Sequence, residues 1–189
     1  PPSDLEFVYI AYSSEYECYR LGDMLKNEFP DVKFRFLVVA SPTRGAADTL
    51  RLALRELEGH TDDQPVVSLD SDTFYTEHIL ARWDRSNQVG VFESKTDAPL
   101  FSYARFDDAG FLDDIREKEK ISDHACSGFY AFASWCELYD CAKRIVEEGV
   151  EQHGEFYISG ILKLMIARSA CSVRGQAIST GSSSSKPSG

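Results

Sequence analysis

The 189-residue sequence predicts one α/β domain, built on a mixed, mostly parallel central sheet that is flanked by helices. Apolar, β-branched segments alternate with helical segments through the first half of the chain, which is the order of a parallel sheet with helical connections. A turn at 107–110 joins two short strands in the second half, so antiparallel pairing is added there. Hydrophobic residues make up 43% and charged residues 27%, as expected for a globular chain that buries its own core.

The predicted elements follow from composition and spacing. Phe7–Tyr12 is a strand because it is rich in aromatic and β-branched residues, and Glu15–Glu28 is a helix that ends before Pro30. The other predicted strands are Val32–Val39, Pro65–Leu69, Gln88–Glu93, Phe101–Phe106, Gly110–Ile115, Cys126–Phe132 and Ser172–Ile178. The other predicted helices are Ala46–Leu57, Glu77–Trp83, one from the N-cap Ser134 to about Gly149, and Glu155–Arg168. Residues 1–181 form the predicted domain, and the Gly/Ser-rich residues 182–189 form a flexible tail.

Charge and cysteine content exclude several classes of function. The formal net charge of -11 argues against a nucleic-acid binder, which needs surplus Lys and Arg. No apolar run approaches the roughly 18 residues of a membrane span, so no membrane association is expected. The five cysteines are odd in number and form no CxxC pair, which argues against a zinc site or a disulfide framework. Reduced thiols and the lack of an export signal predict a cytoplasmic location.

Two aspartates directly follow a short apolar strand. Asp70 and Asp72 are two residues apart in an extended segment, so both carboxylates can point the same way. In parallel α/β sheets ligands bind beyond the carboxyl ends of the strands, and paired carboxylates suit Mg²⁺ or Mn²⁺ with bound phosphates. Aspartate and serine are also common in turns after strands, so the pattern alone is a weak signal.

Six segments, in order along the chain, carry a family resemblance. They are Thr43–Leu50, Asp70–Asp72, Phe101–Tyr103, Ile115–Lys118, Ala125–Tyr130 and Gly154–Ser159. Together they resemble the sugar-phosphate nucleotidyltransferases, or NDP-sugar pyrophosphorylases, and most of all the branch found in capsule and surface-polysaccharide gene clusters. The resemblance implies the Rossmann-like nucleotide-diphospho-sugar transferase fold. It also implies a Mg²⁺-dependent reaction between a nucleoside triphosphate and a sugar 1-phosphate.

The resemblance also implies roles for individual residues. The nucleotide would contact Thr43, Gly45 and Asp70. The sugar would contact Ser102, Glu117, Ser127, Gly128 and Glu155. Lys118 would meet the sugar phosphate and, with Asp70, carry the catalysis, while Asp70 and Asp72 would hold the metal.

Each of these roles has a plainer interpretation. Glu117 and Lys118 lie in the charged run REKEK, and such runs are usually solvated faces. Ser127 and Gly128 could simply be an irregularity in a strand, and Glu155 could be an acidic residue favoured at a helix N-terminus.

One part of the family pattern is missing. Family members carry a Gly-rich loop with basic residues after their first strand, and it binds the triphosphate. Here Phe7–Tyr12 is followed by Ser13–Glu15, with no glycine and no cation. The family's first strand and loop are therefore expected to be absent from this sequence. The chain would be a fragment of a larger enzyme, completed by an N-terminal segment or a dimer partner, or else a degenerate member.

Three functions stay open on the sequence alone. The leading hypothesis is nucleotidyl transfer to a sugar 1-phosphate. A glycosyltransferase could use the same Asp-x-Asp pair to hold an NDP-sugar donor, and consumption of an NDP-sugar with an acceptor would identify it. A catalytically degenerate module would bind a sugar nucleotide without turnover.

Overall fold

The computed structural model describes residues 7–168 and 172–179, and the predicted tail lies outside them. The strands are β1 (Val8–Ser13), β2 (Phe34–Val39), β3 (Val66–Leu69), β4 (Gln88–Glu93), β5 (Ser102–Phe106), β6 (Leu112–Glu117), β7 (His124–Phe132) and β8 (Arg174–Ala177). The α-helices are α1 (Leu21–Glu28), α2 (Ala46–Arg55), α3 (Trp135–Glu147) and α4 (Ile158–Ala167). Two 3₁₀ helices lie at Ser14–Tyr19 and Ile79–Arg82.

The strands form two sheets in the described residues. The larger sheet has the order β6-β5-β7-β4-β8, and β3 also pairs with β7. β7 is the central strand: β4 covers one of its edges, while β5 and β3 share the other. All three run antiparallel to β7, and parallel pairing joins only β4 to β8 and β1 to β2. The mixed sheet with flanking helices is confirmed, but antiparallel pairs outnumber parallel ones because β7 reverses the chain direction at the centre.

The core lies on both faces of the larger sheet. α2, α3 and α4 pack against one another over one face, where the fully buried residues include Phe132, Leu138 and Ile161. A smaller cluster on the other face contains Phe129, Ala131, Ile79 and Ile178. Successive residues of β7 alternate between these two clusters, as the pleat of a strand requires. Burial on both faces explains why β7 is an almost unbroken apolar run.

Three helix ends test the sequence predictions locally. Glu15–Glu28 is not one helix, because Arg20 adopts a left-handed conformation with φ 53° between the 3₁₀ helix and α1. The last helix begins at Ile158 rather than Glu155, because Tyr157 before it is extended, with φ -98° and ψ 154°. Ser134 caps α3 as predicted: its hydroxyl accepts a hydrogen bond from the Glu137 amide at 3.0 Å.

The two-stranded sheet is much less buried than the six-stranded one. Within residues 7–39 no side chain is fully buried. β1 pairs only with β2 and β3 only with β7 among the strands described, so each keeps one edge without a strand partner. The connection between the two sheets is α2, which contacts β1 and packs on α3 and α4.

Two further expectations concern membranes and thiols. Within the described residues no helix is long and apolar enough to span a bilayer. The four described cysteines are free thiols, with Cys126 and Cys141 buried and Cys18 and Cys136 exposed. Cys171 lies outside the described residues.

Candidate active site

The end of β3 meets the middle of β7 through the backbone. The Asp70 amide donates a hydrogen bond of 3.0 Å to the Gly128 carbonyl. Gly128 has φ +80°, and a Cβ atom there would lie 2.6 Å from Oδ2 and 2.7 Å from Cβ of Asp70. The pairing of β4 with β7 shifts register between Val89 and Val91, opposite this glycine. Only glycine allows this close approach, so the irregularity in β7 places Asp70.

The Asp70 carboxyl lies among other acids. Although Asp70 is exposed as a whole residue, surrounding protein atoms desolvate its carboxyl, and this is the largest cause of the rise of its pKa to about 6. The negative charges of Asp72 and Glu117 raise that pKa further. Since like charges repel, a cation bound here would relieve the cost of ionising all three groups.

The Asp70–Asp72 pair could hold a divalent metal only if the other metal ligands come from water and a bound phosphate. In the part of the chain that the structure describes, no group of three or more His, Cys, Asp or Glu side chains could hold a metal ion. Mg²⁺ commonly uses one or two carboxylates and takes its other ligands from waters and substrate phosphates. The pair therefore suits a metal that arrives with a phosphorylated ligand rather than one held by protein alone.

Glu117 ends β6 as a buried carboxylate held by two serine hydroxyls. Its side chain is 8% exposed, and its Oε2 accepts hydrogen bonds from Ser102 and, at 3.2 Å, from Ser159. Ser159 in turn accepts a hydrogen bond of 3.5 Å from Gln152 Nε2. Both hydroxyls bind the same oxygen, and no hydrogen bond to Oε1 is found among the described residues, so Oε1 is available to a ligand. A buried carboxylate with one oxygen fixed and one free is a pre-positioned acceptor for hydroxyl groups.

Lys118 follows in a left-handed conformation with φ 51°. Its amide donates to the Phe101 carbonyl at 3.0 Å, and its Nζ lies 3.2 Å from the Tyr157 hydroxyl. The hydrogen bond to Tyr157 is the largest cause of the rise in the Lys118 pKa, and the charges of Glu117 and Glu155 add to it. Lys118 is thus a cation that stays charged.

The turn before α2 is joined to the segment before α4. Gly45 has φ +117°, and a Cβ atom there would lie 2.6 Å from the Phe156 carbonyl oxygen. The Phe156 amide donates to the Arg44 carbonyl at 2.7 Å, and the Ala47 amide donates to the Phe156 carbonyl at 2.9 Å. Thr43 is held by its hydroxyl, 2.7 Å from that of Thr49. The predicted nucleotide contacts Thr43 and Gly45 therefore lie beside the predicted sugar contact Glu155.

Ser127 is placed differently from its neighbours. Its hydroxyl is buried, has no hydrogen-bond partner among the described residues, and lies 2.6 Å from where a Cβ on Gly90 would be. Its carbonyl accepts a hydrogen bond of 3.0 Å from the Tyr75 hydroxyl. Ser127 thus contributes to the site through the position of Gly128.

The structure brings most predicted residues to one region. Asp70, Gly128 and Glu117 are linked by contact and by charge, Lys118 and Ser102 adjoin Glu117, and Gly45 adjoins Glu155. Sequence reasoning missed the roles of Tyr157, Gln152, His153 and Tyr75. Of these, His153 approaches the Glu117 carbonyl at 3.3 Å. The only available signal for Tyr157 was its place in the predicted segment Gly154–Ser159.

Comparison with known proteins finds similarity in structure but none in sequence. No protein-family model matches the chain, and no curated protein matches it by sequence. The solved structure of a nucleoside-diphosphate-sugar pyrophosphorylase from Vibrio cholerae RC9 superposes with a TM-score of 0.74 at 21% identity, over 90% of this chain and 72% of that one. The chain shares the fold of that structure.

Two further solved structures share this fold. A protein from Bacillus anthracis, described as a glucose-1-phosphate thymidylyltransferase in complex with a sucrose, gives a TM-score of 0.65 at 18% identity, over 92% of this chain and 68% of its own. The inositol-1-phosphate CTP transferase of T. maritima gives a TM-score of 0.65 at 12% identity, over 92% of this chain and 66% of that one. At these identities the likeness establishes the fold, and the predicted capsule-type branch stays a prediction.

Proposed function

We propose that this domain joins a nucleoside triphosphate to a sugar 1-phosphate, giving an NDP-sugar and pyrophosphate. A phosphate oxygen of the sugar 1-phosphate attacks the α-phosphorus of the triphosphate. The bond from that phosphorus to the β-phosphate oxygen breaks, and pyrophosphate leaves with the electron pair. The fold shared with proteins described as nucleotide-sugar pyrophosphorylases supports this reaction class. The predicted place in surface-polysaccharide synthesis and the cytoplasmic location stay predictions.

The observation that carries the proposal is the arrangement at Glu117 and Lys118. A buried carboxylate with a free oxygen suits sugar hydroxyls, and the next residue offers a fixed cation for a phosphate. Asp70 lies close enough to Glu117 for the negative charge of Glu117 to raise the pKa of Asp70. Within the proposed site, Glu117 would accept sugar hydroxyls, Lys118 would meet the phosphate, and Asp70 and Asp72 would lie on the triphosphate side.

The chain's own groups would act by positioning. Glu117 would orient the sugar, Lys118 would hold the attacking phosphate, and the Thr43–Gly45 turn would contact the base. Phosphoryl transfer needs alignment and charge neutralisation more than a general base. Asp70 and Asp72 would hold Mg²⁺ or Mn²⁺, which when bound would neutralise charge on the phosphates.

The test is pyrophosphate release, measured with a coupled assay and with Mg²⁺ present or removed by EDTA. The four nucleoside triphosphates and TTP would each be paired with a panel of sugar 1-phosphates. We expect Mg²⁺-dependent release for at least one pair. Because the chain spans 66–72% of the three described neighbours, the assay uses the longest form of the protein encoded by its gene. If no pair of triphosphate and sugar 1-phosphate gives pyrophosphate release, the proposal is overturned.

Glu117→Gln tests the sugar side of this site. Glutamine keeps the shape but replaces a charged acceptor, and a hydrogen bond to a charged group contributes about 1.5–3 kcal/mol. We expect kcat/KM for the sugar phosphate to fall about tenfold to a hundredfold. The matched control is Glu119→Gln two residues on, whose side chain is 61% exposed and pairs with Arg116. Equal effects of the two substitutions would contradict the role of Glu117.

One structural observation favours a second candidate, a sugar-nucleotide-binding module without turnover. The segment that follows β1 is the 3₁₀ helix Ser14–Tyr19, with Glu15 and Glu17 in its first turn. Two carboxylates and no glycine are a poor receptor for a triphosphate. Calorimetry with UTP, CTP, GTP and NDP-sugars would separate the candidates: binding without turnover in the same protein identifies the module.

A further inference from the structure

Tyr157 and Lys118 form a pair whose hydrogen bonding is incomplete. Lys118 Nζ lies 3.2 Å from the Tyr157 hydroxyl oxygen and 5.4 Å from the centre of its ring. An ammonium group can only donate, so the Tyr157 oxygen is the acceptor. No acceptor for the hydroxyl hydrogen is found among the described residues, and the half-buried side chain leaves this hydrogen free to donate to a ligand.

The pair stands beside a second link between the same two elements. Glu117 receives the Ser159 hydroxyl, and its chain neighbour Lys118 meets Tyr157, two residues before Ser159. The end of β6 and the start of α4 are therefore joined twice. Ser159 is buried and satisfies Glu117, whereas Tyr157 is half-buried and Lys118 exposed. The first link is internal to the protein, and the second faces outward.

The start of α4 favours an anion at this place. Tyr157 is the N-cap residue and its side chain makes no cap hydrogen bond, so it does not satisfy the first amides of the helix. The first turn of α4 carries no acidic residue. The N-terminus of a helix has a partial positive charge, which adds to that of Lys118.

We propose that Tyr157 is a second ligand of the phosphate group that Lys118 binds, donating its hydroxyl hydrogen to a phosphate oxygen while its own oxygen accepts from Lys118. This inference rests on the proposed function, because the phosphate is that of the sugar 1-phosphate. Tyr157 holds the ammonium in place and supplies a neutral donor beside it. Two donors fix the direction of the phosphate, whereas a lone lysine is a point charge.

The direct test uses inorganic phosphate as the probe. Tyrosine labelled with ¹³C at Cζ gives one signal for each of the nine tyrosines, and Tyr157→Phe identifies the signal of Tyr157. We expect this signal to shift saturably with phosphate, and not with sodium chloride at equal ionic strength. Lys118→Met is expected to weaken the response at least tenfold. No saturable shift, or the same shift with chloride, would overturn the inference.

A kinetic test uses the sugar 1-phosphate that the pyrophosphate assay identifies. Tyr157→Phe is expected to raise KM for the sugar phosphate about tenfold and to leave KM for the triphosphate unchanged. The matched control is Tyr9→Phe, which removes a hydroxyl that accepts from Arg35 at 3.1 Å in the other sheet and should change neither constant. A Tyr157→Phe variant with both constants raised alike, or with neither raised, would overturn the role of Tyr157.

The two proposals fail separately. If the wild-type protein releases pyrophosphate but Tyr157→Phe behaves like Tyr9→Phe, nucleotidyl transfer stands and the inference about Tyr157 is wrong. If no nucleotide and sugar phosphate react, the proposed function is wrong, and the phosphate titration still decides whether Tyr157 and Lys118 bind phosphate together.

Discussion

Gly128→Ala is expected to reduce nucleotidyl transfer more than a hundredfold and to destabilise the fold by about 2–4 kcal/mol. The added Cβ would lie 2.6 Å from Asp70 Oδ2 and 2.8 Å from Cγ, and φ of +80° is itself unfavourable for alanine. Asp70 would have to move away, because the backbone of β7 at Gly128 is held by its neighbouring strands. The displaced carboxylate could no longer meet its ligand in the same position.

Gly110→Ala is the matched control for this substitution. Gly110 has φ +81°, nearly the same as Gly128, but a Cβ atom there would meet nothing within 4 Å. The Gly110→Ala variant therefore measures only the cost of placing alanine at a positive φ, about 1 kcal/mol. Stability is read from chemical unfolding and activity from pyrophosphate release. If the two variants lose equal stability and equal activity, the close contact between Gly128 and Asp70 has no role.

Asp70→Asn is expected to stabilise the metal-free protein at pH 7 while lowering activity about a thousandfold. The activity loss corresponds to about 4 kcal/mol of transition-state stabilisation, in the range expected when a metal ligand is removed. The gain in stability has a separate origin. Asparagine carries no charge, so it does not suffer the desolvation and the repulsion from Asp72 and Glu117 that raise the Asp70 pKa to about 6.

The sign of the pH dependence follows from the two pKa values. Unfolded, the Asp70 carboxyl loses its proton near its ordinary pKa of 3.8, whereas in the folded protein it keeps the proton up to about 6. Between these values the folded state binds more protons, so wild-type stability falls as pH rises through this window. Allowing for the exposure of Asp70, the fall is about 1–2 kcal/mol.

Urea unfolding in EDTA at pH 3.5, 5 and 7 measures this effect. Asp70→Asn is expected to match the wild type at pH 3.5 and to exceed it at pH 7. The control is Asp108→Asn, at an exposed position of the 107–110 turn, which should follow the wild type at every pH. If the wild-type protein is more stable against urea than Asp70→Asn at pH 7 without metal, the electrostatic explanation is wrong.

Much of the fold can be predicted from the sequence, because each strand has a local signal in its apolar, β-branched and aromatic residues. β4 has the predicted bounds Gln88–Glu93, and β7 is a run whose residues alternate between two buried clusters. The break at Arg20 could not be read, since arginine rarely adopts a left-handed conformation and no glycine or proline marks the place. The predominance of antiparallel pairs also escaped prediction, because it depends on which strand takes the centre of the sheet.

The candidate site divides in the same way. Asp70 could be found because it follows a strand, and Glu117 because its segment Ile115–Lys118 resembles one of the nucleotidyltransferase family. The position of Asp70 against β7 could not be read, since it depends on the irregularity of β7 at Gly128. Tyr157 meets Lys118 across 39 residues of sequence. Tyr157 is the extended N-cap residue of α4, a placement that the sequence pattern did not indicate.

The unequal burial of the two sheets governs how the molecule opens. Residues 7–39 contain no fully buried side chain, and among the described elements of the rest of the chain they pack mainly against α2. Their backbone amides should therefore exchange with deuterium through a local opening, well before those of β7. α2 belongs to both regions, and the turn that contains Gly45 leads into it. Release of the two-stranded sheet would loosen the turn proposed to contact the nucleotide, while Glu117 and its two serines stay in place.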